Sequence, residues 1–316
     1  MRPLAFLSMD NAAGFVSYDE HTLGPLRALG WEVTNVPWRS PDTDWSRFDA
    51  VVIRSPWDYQ HHHEEFLTVL AEIDASGTRL LNRLEVVHWN IRKSYLQALQ
   101  RQGIAIVPTV WCDPLDRSQL HAARKTFASG ELVVKPTLGA GAFQTYRFEA
   151  HRCHASDDPL IDELLRVFAS KPCMIQPFLP SVVHAGETSL IYFGGQFSHA
   201  VLKVPKAGDY RVQEEHGSCV TGVTVEPHLK RLASAALAVV PQPTAQPLLY
   251  ARVDVVTLPD GQPAIIELEL IEPSLFFRCD DGSPQRFAEA LDRQLREPTS
   301  HPQNDLQSAA SPPKGS

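Results

Sequence analysis

Residues 251–270 read ARVDVVTLPDGQPAIIELEL, two alternating runs of apolar and polar residues separated by an Asp-Gly pair. Alternation with period two is typical of strands that bury one face, and an Asp-Gly pair between two such runs indicates a tight hairpin turn. We therefore predict an antiparallel hairpin, in which the strand with Arg252 and Asp254 lies beside the strand with Glu267 and Glu269.

The polar residues of this hairpin create a problem of like charges. A register that puts both polar faces on one side brings three carboxylates and one guanidinium together. Two carboxylates 4 Å apart repel by about 4 kcal/mol at an intermediate dielectric, and a bound cation removes that repulsion. Oxygen ligands without His or Cys favour Mg²⁺ or Mn²⁺, so Asp254, Glu267 and Glu269 are candidate metal ligands. The alternative is a solvated sheet face whose intervening residues are turned to the core: Ile266, Leu268 and Leu270.

Composition limits the classes of function. The chain has 316 residues, 43% of them hydrophobic, and a formal net charge of -8. This length favours two or three lobes, and the negative charge provides no basic field for nucleic acid or an anionic membrane. The five cysteines are scattered and never form C-x-x-C, so we expect a reducing cytoplasm rather than disulfides or zinc. No apolar run approaches the roughly 18 residues of a membrane span.

The first part of the chain alternates strand-like and helix-like segments, which is typical of a parallel sheet. The strand-like segments are PLAFLSM, WEVTNVP and FDAVVIRS. In such sheets ligands bind beyond the carboxyl ends of the strands, where Arg54 and Asp58 would lie. For these positions we favour the simpler interpretation, in which Ser55 and Asp58 cap the next helix and Arg54 is a surface charge.

Two lysines stand in segments that could meet a phosphate. Lys93 lies in VVHWNIRKSYLQALQRQG, which we predict as one helix ending at Gly103. Lys135 ends the strand ELVVK and precedes PTLGAGAF, where Gly139 and Gly141 could let backbone amides approach an anion. Taken alone, Lys93 is better explained as a surface lysine, and the glycines after Lys135 also fit a plain turn.

The next segments carry a hinge and further charged residues. The strand MIQPFLP runs through Gln176 and should end by Pro180, leaving backbone groups free to read an adenine ring or to serve as an interdomain linker. Glu187 then begins the strand region GETSLIYFGG, and Lys203 and Arg211 follow in FSHAVLKVP and GDYRVQEEHG. Each basic residue alone is more often a surface charge than part of a site.

Taken in order, these pieces resemble the ATP-grasp superfamily, in particular its glutathione-synthetase-like branch. The order is a helix lysine, a strand lysine with a glycine loop, Q-P-F-L, G-E, basic residues, R-x-D and E-x-E. Runs such as W-N-x-x-K-x-Y-L, F-S-H-A-V-x-K and E-L-E-L-I-E-P are similar to those of cycloserine-forming members. The resemblance extends from RSPWDY, which begins at Arg54, to IEPSLFF, which ends at Phe277.

The resemblance implies a domain order. We expect an α/β protein with α+β character in its C-terminal part, in which a parallel-sheet, Rossmann-like pre-ATP-grasp domain at residues 1–83 precedes two ATP-grasp subdomains at 84–178 and 179–297. Residues 298–316 contain almost no large apolar side chains and are predicted to be a disordered tail.

The resemblance also implies residues that hold the nucleotide. Lys93 and Lys135 would neutralise the α- and β-phosphates of ATP, and the loop around Gly139 and Gly141 would cover them. Glu187 matches the acid that binds the ribose hydroxyls. The adenine hinge would consist of Gln176 and the backbone of Phe178 and Leu179.

For the metal and the transferred phosphoryl group, Asp254, Glu267 and Glu269 match the magnesium ligands of the family. Arg252, Arg211 and Lys203 match the cations around the phosphoryl group. Many members have Asn at the position of Glu269, so the extra charge leaves the number of metal ions open.

The activity implied is an ATP-dependent ligation. A small amino-acid-like carboxylate would be activated as an acyl phosphate and joined to an amine, with ring closure of the cycloserine type as one form of it. The alternatives are a small-molecule kinase and a non-catalytic MgATP sensor. The partners expected are the carboxylate and amine substrates, and a homo-oligomer is compatible with the sequence. Residues implied near the acid or the amine are Arg54, Asp58, His199, Glu272 and Ser274.

Overall fold

The structure is a computed structural model that describes residues 1–127, 129–139, 141–241 and 246–297. The predicted disordered tail, residues 298–316, lies outside the described residues. The strands form three sheets. Their bounds are β1 (Arg2–Ser8), β2 (Trp31–Pro37), β3 (Ala50–Ser55), β4 (Arg79–Leu81), β5 (Val110–Cys112), β6 (Glu131–Pro136), β7 (Tyr146–Glu149), β8 (Cys173–Pro177), β9 (Glu187–Phe193), β10 (Gln196–Val204), β11 (Cys219–Gly222), β12 (Tyr250–Thr257) and β13 (Pro263–Glu269).

The helices pack on the outer faces of these sheets and between them. Across the described residues, none is both long and apolar enough to cross a membrane. Their bounds are α1 (Glu20–Ala28), α2 (His63–Ala75), α3 (Leu84–Asn90), α4 (Tyr95–Arg101), α5 (Arg117–Phe127), α6 (Pro159–Val167), α7 (Pro180–His184), α8 (Pro227–Leu237) and α9 (Ser283–Arg296).

The N-terminal sheet is parallel, in the order β2-β1-β3-β4. All six residues of β3 are buried, which agrees with a central parallel strand that is covered on both faces. The parallel sheet predicted from the alternating segments is confirmed. Its core is continuous with the C-terminal part of the chain, since Leu4 and Phe6 of β1 share one cluster with Ile191 of β9 and Phe287 of α9.

The other two sheets are antiparallel. The central sheet has the order β5-β8-β6-β7, and the C-terminal sheet has the order β11-β10-β9-β12-β13. The change from parallel to antiparallel sheets confirms the α/β class with α+β character in the C-terminal part. The placement of domain boundaries at residues 83 and 178 stays a prediction.

The segment predicted as one helix from Val86 to Gly103 is two short helices, α3 and α4, and the single-helix prediction was wrong. Lys93 lies in the connection between them, where its backbone amide donates to the carbonyl of Thr137 at 2.6 Å. The apolar spacing is continuous across the break, so periodicity could not reveal it. The consequence is that Lys93 is held by contacts with a distant loop rather than by helix geometry.

The edge strand β13 has its backbone covered by side chains from α3 and α4. The Asn90 side chain donates to the carbonyl of Leu268 at 2.8 Å and accepts from the amide of Leu270 at 3.0 Å. The Tyr95 hydroxyl accepts from the amide of Leu268 at 2.8 Å. Asn82 bonds in the same way to the backbone of Leu249, Tyr250 and Leu270. These bonds fix the strand that carries Glu267 and Glu269.

Replacing Asn90 by Ala is expected to lower the free energy of unfolding by about 2–6 kcal/mol, because two buried backbone groups lose their partner and each costs about 1–3 kcal/mol. Urea denaturation measures the change. Asn35→Ala, at an exposed position of β2, is the matched control and should change stability by less than about 0.5 kcal/mol. Equal stability of the two variants would contradict the role of Asn90.

Candidate active site

A cavity of about 540 Å³ is lined by all three parts of the fold. Trp57 and Tyr59 come from the segment after β3, Lys135 and Gln176 from the central sheet, and Arg252 from the C-terminal sheet. Ligand pockets commonly form where units of a fold meet, with a few polar groups directed into an apolar surround. The residues assigned from the sequence to the nucleotide, the metal and the phosphoryl group all line this cavity, as do Glu272 and Ser274, whereas Arg54, Asp58 and His199 do not.

The hairpin of β12 and β13 forms one wall of the cavity. Arg252 pairs with Glu269 and Asp254 with Glu267, so the four side chains lie on one face. One ligand oxygen from each acid lies within 4.8 Å of the other two. Glu267 also lies 2.8 Å from the ammonium of Lys93. The predicted hairpin is confirmed, its register puts the two polar faces on one side, and the three acids fit the oxygen ligand set of a hard divalent cation.

Two further cations pair with these acids. Arg252 contacts Asp254 at 2.9 Å and also bonds to Glu269. Lys203 bonds to Glu187, its directly paired neighbour on β9, and lies 3.3 Å from Asp254. Buried charges are tolerated when they are paired in this way. The charge network therefore contains three basic groups, including Lys93, before any phosphate is bound.

The pKa values divide the acids into two groups. Burial tends to raise the pKa of Asp254 and of Glu267, but Arg252 and Lys203 outweigh it for Asp254, and Lys93 and Lys135 outweigh it for Glu267, so both pKa values lie below their ordinary range. Burial, helped by the neighbouring acids, raises the pKa of Glu269 to about 8. Glu269 thus lacks sufficient positive charge around it, and a divalent cation would supply that charge.

The alternative of a solvated sheet face, with Ile266 turned to the core, does not hold at Ile266. A bulge shifts the register between Asp254 and Val255, so that Asp254 pairs with Glu267 while Val255 pairs with Ile265. Ile266 is left unpaired and only half-buried, and it lines the cavity beside Glu267. A bulge turns an extra residue out of the ladder, which alternation in the sequence cannot show. Leu268 and Leu270 are buried as predicted.

The predicted hinge lies at the end of β8. Gln176 is buried, and its side-chain amide donates to the Thr109 hydroxyl at 2.9 Å. The Phe178 amide donates to the carbonyl of Glu131 at 3.0 Å, so it is already used. The amide of Leu179 is therefore the candidate donor for a ligand at this hinge. The strand ends at Pro177, earlier than the Pro180 limit expected from the sequence.

The glycine loop follows β6 and approaches Lys93. The Lys93 ammonium donates to the carbonyl of Gly139 at 2.7 Å. Gly141 has a φ of +59° and Gly139 a φ of +156°, and the first of these values strongly favours glycine. Lys135 makes no ion pair within the described ranges, and burial lowers its pKa. Lys135 is therefore a cation of the cavity that has no direct ion pair among the described residues, although it interacts at longer range with Glu267.

Arg211 lies on the loop between β10 and β11 and lines the cavity from its more exposed side. Its guanidinium is 2.7 Å from Asp209. The same loop reaches the hinge, because the rings of Tyr210 and Phe178 meet edge to face with centroids 6.1 Å apart. Arg211 thus approaches the cavity on a loop segment, whereas Lys203 and Arg252 stand on strands.

Arg54 and Asp58 do not behave as the sequence suggested. Arg54 is only 1% exposed and pairs with Asp19 at 2.9 Å, so the surface-charge prediction was wrong. It also donates to the carbonyl of Pro273 at 3.3 Å. Asp58 precedes the 3-10 turn Tyr59–His61, but its side chain makes no capping hydrogen bond there; it accepts from the Trp38 indole at 2.7 Å. Both residues hold loops in place at the carboxyl end of the parallel sheet.

Sequence reasoning did not single out the aromatic residues beside this loop. The two rings are those of Trp57 and Tyr59, and the Trp57 indole donates to the backbone carbonyl of Glu272 at 2.9 Å. Both line the cavity. The available signal was their position, since W-D-Y directly follows a parallel strand.

His199 hydrogen-bonds to the backbone of the loop that follows β13, at Leu275. Its Nε2–H donates to the carbonyl of Leu275 at 3.0 Å, and Nδ1 accepts from the Ser198 hydroxyl at 2.9 Å. Arg286 in turn donates to Ser198 at 2.9 Å. A carbonyl can only accept, which fixes the neutral tautomer. Burial lowers the pKa of His199 to about 4.

Acidification is therefore expected to destabilise the protein through His199. Between pH 6.5 and 4 the unfolded chain binds the proton and the folded chain does not, so the stability from this group is present above pH 6.5 and is lost as pH falls. From pH 7 to 5 the loss is about 2 kcal/mol. Urea unfolding of the wild type and of His199→Gln at both pH values isolates this group. The same pH dependence in both proteins would contradict the assignment.

Comparison with known proteins agrees with this geometry. Residues 114–275 match the family described as "Prokaryotic glutathione synthetase, ATP-grasp domain", and residues 4–82 match "D-cycloserine synthetase DcsG, N-terminal domain". The chain belongs to the ATP-grasp family of carboxylate–amine ligases.

The chain is also similar to individual members of this family. The chain is 32% identical to the cycloserine biosynthesis protein DcsG of Streptomyces lavendulae over 87% of this chain and 92% of that protein. The crystal structure of D-cycloserine synthetase DcsG superposes with a TM-score of 0.82 at 29% identity, covering 93% of this chain and 99% of the other. D-alanine–D-alanine ligase from Bacillus anthracis shares the fold, with a TM-score of 0.65 at 15% identity over 94% and 97% of the two chains.

Proposed function

We propose that the protein activates a small amino-acid-like carboxylate with ATP and joins it to an amine, releasing ADP and phosphate. The observation that carries the proposal is the hairpin wall, where Asp254, Glu267 and Glu269 lie together beside Arg252 and Lys93 in one cavity. Phosphoryl transfer needs positioning and charge stabilisation more than a protein nucleophile, and this wall offers both.

The nucleotide would lie along the cavity from the hinge to the hairpin. The Leu179 amide and Gln176 would meet the adenine ring, and Glu187 would bind the ribose hydroxyls. Lys93 and Lys135 would neutralise the α- and β-phosphates, with the loop at Gly139 and Gly141 above them. The ammonium of Lys135 supports this assignment, because it is partly buried and forms no direct ion pair among the described residues, so a bound anion would stabilise it.

Asp254, Glu267 and Glu269 would hold Mg²⁺, or Mn²⁺, which supplies charge neutralisation at the phosphates when it is bound. The ligation has two balanced steps. A carboxylate oxygen of the substrate forms a bond to the γ-phosphorus while the bond from that phosphorus to the β-bridging oxygen breaks, giving an acyl phosphate and ADP. The amine nitrogen then bonds to the acyl carbon, phosphate leaves with the C–O electron pair, and the nitrogen loses a proton.

The chain's own cations would stabilise the charge that develops in the first step. Arg252 and Lys203 stand on strands and would contact the transferred phosphoryl group, and Arg211 would approach it on its loop. Bidentate guanidinium groups suit phosphate oxygens. Binding the phosphates would draw Lys93 away from Glu267 and leave this carboxylate free for the metal.

The relatives make the proposal for the substrate more specific. The match to a D-cycloserine synthetase extends over nearly the whole of both chains, so we propose ring closure of the cycloserine type, in which one molecule supplies the carboxylate and the nitrogen. We also propose a cytoplasmic setting, as expected from the cysteine pattern, and a homo-oligomeric state.

The test is to incubate the protein with MgATP and pools of amino acids, and to follow ADP, phosphate and condensed products by mass spectrometry. Stoichiometric ADP and phosphate with a dehydrated product are expected. ADP with a stable phosphorylated acid and no free phosphate would identify a kinase instead. Stabilisation by MgATP with no ADP from any pool would identify a sensor.

A further inference from the structure

The loop between β10 and β11, residues 205–218, is termed the roof loop because it borders the cavity along much of its length. Its consecutive residues from Tyr210 to His216 all line the cavity. Among them is Arg211, which the proposed function places at the transferred phosphoryl group. The contacts that hold this loop in place therefore decide where Arg211 stands and how far the cavity is closed to solvent.

The roof loop is anchored first at the hinge. The Tyr210 ring meets Phe178 edge to face, and the Arg147 guanidinium lies 3.6 Å from the centre of the Phe178 ring. Val212 is buried in one apolar cluster with Leu179. These contacts hold the loop at the end of the cavity where the adenine ring would lie.

A second anchor lies three residues beyond Arg211. The Glu214 carboxylate accepts from the Arg278 guanidinium at 2.5 Å and from the Tyr18 hydroxyl at 3.4 Å. The Arg278 guanidinium also lies 5.4 Å from the centre of the Tyr18 ring. These three side chains, termed the clasp, join the roof loop to the N-terminal part of the chain and to the turn before α9.

The two partners of Glu214 in the clasp stand on the core of the protein. Tyr18 has a φ of +60°, which is rare for a bulky residue, and its ring packs against the core cluster that contains Phe277. Phe277 directly precedes Arg278 and is buried. Neither Tyr18 nor Arg278 lines the cavity, so both can influence a bound ligand only through the roof loop.

The clasp has the strength of a contact that can open and close. The side chains of Arg278 and Glu214 are 34% and 26% exposed, and ion pairs that reach solvent contribute little to stability. The pair of Lys203 and Glu187 in the same cavity is almost fully buried. Substrates have to enter and products have to leave in each turnover, and the clasp is the weaker of these two ion pairs.

Closure matters for the proposed reaction because its intermediate reacts with water. Water that reaches an acyl phosphate bonds through its oxygen to the acyl carbon, phosphate leaves with the C–O electron pair, and the water loses a proton. The acid is regenerated and one ATP is consumed without product. Closed loops over an active site prevent this kind of side reaction.

We propose that the clasp of Tyr18, Glu214 and Arg278 closes the roof loop over the cavity, where the loop holds Arg211 at the phosphoryl group and keeps water from the acyl phosphate. This inference rests on the proposed ligase function and adds positioning residues to it. Tyr18 and Arg278 act through Glu214 and contact no substrate themselves. The coupling of ATP consumption to ligation then depends on a contact outside the cavity.

The first experiment measures coupling as the ratio of ADP to ligated product. The full chain is incubated with MgATP and a mixed pool of amino acids, and both quantities are followed by mass spectrometry. In Arg278→Met this ratio is expected to rise about 2- to 5-fold, because the open loop gains population by the amount that a partly exposed ion pair contributes. Arg231→Met, at an exposed position of α8, removes one positive charge elsewhere and should keep the wild-type ratio.

The second experiment observes the loop without turnover. Trypsin cleaves after Lys206 and Arg211, which both lie in the roof loop. Cleavage of a segment that opens and closes rapidly follows the population of its open form. Arg278→Met should therefore be cut at these two sites faster than the wild type, by a factor similar to its loss of coupling.

Further variants separate the clasp from general damage to the fold. Arg278→Lys retains the charge and should recover most of the coupling. Glu214→Gln breaks the same ion pair from the loop side, so it tests the inference even if Arg278→Met fails to fold. The double variant should exceed neither single variant, because both changes remove one interaction. Tyr18→Phe removes only the hydroxyl and should have a smaller effect.

The outcomes distinguish the inference from the proposed function. Wild-type coupling and wild-type cleavage in Arg278→Met and Glu214→Gln overturn the inference, while ligation by the wild type keeps the ligase function. A slower reaction with an unchanged ratio of ADP to product indicates a merely structural role and also overturns the inference. No ADP release with any acid overturns the ligase function and the inference with it.

Discussion

Asp254→Asn and Glu267→Gln are each expected to reduce MgATP-dependent ADP formation by at least about 10³-fold. Each change removes one of the carboxylates that would hold the divalent cation, and charge stabilisation is the largest contribution to this kind of chemistry. In Asp254→Asn, moreover, Arg252 and Lys203 lose the acid that they share, so their positions change as well. The measurement is initial-rate ADP release at saturating MgATP.

The same hairpin supplies the control for these two variants. Asp260 lies in its exposed turn and accepts from the Gln262 amide at 3.0 Å, far along the strands from the acids. Asp260→Asn should retain nearly full activity. Circular dichroism checks that each variant is folded, and Mn²⁺ binding with ADP gives a readout independent of turnover. Undiminished turnover in both acid variants would refute the metal assignment.

Lys135→Met is expected to lower kcat/KM for ATP by about 10²- to 10³-fold. Its ammonium lines the cavity and forms no direct ion pair among the residues described, so it can contact the phosphates without first breaking one. Removing one such contact from a transition state costs about 3–4 kcal/mol. The change should fall on both kcat and KM, because a phosphate contact acts in the ground state and in the transition state.

Lys125→Met, at an exposed position of α5, controls for the loss of one positive charge and should behave as the wild type. Removing the buried charge of Lys135 also relieves its desolvation, so the variant should be at least as stable as the wild type. A variant that folds normally and keeps its kcat/KM for ATP would show that Lys135 does not contact the nucleotide.

Patterns in the local sequence were sufficient to predict the wall of the cavity that β12 and β13 form. Alternation, the Asp-Gly turn and the charge pattern together determined which faces of β12 and β13 carry Arg252, Asp254, Glu267 and Glu269. These features depend on residues close in sequence, and tertiary packing reinforces them. Ile266 is the exception, because a bulge depends on how two strands meet rather than on either strand alone.

Polar contacts between residues far apart in the chain could not be predicted from the sequence. Lys93 was assigned to a helix interior, yet a loop more than 40 residues away holds it through Thr137 and Gly139. Arg54 was assigned to the surface, yet it is buried against Asp19. A buried polar group is stabilised by partners that the fold brings from elsewhere, and the identity of the residue alone does not reveal them.

The groups that hydrogen-bond to the free edge of β13 also affect the tendency of the protein to aggregate. A bare edge strand is a template on which other chains can add strands and aggregate. Here the amide of Ile265 donates to the carbonyl of Ala105, the amide of Val107 donates back to Ile265, and Asn90 and Tyr95 cover Leu268 and Leu270. The wall that carries the reactive acids is thereby closed to intermolecular strand addition, so its chemistry can stay exposed to small molecules without recruiting other polypeptides.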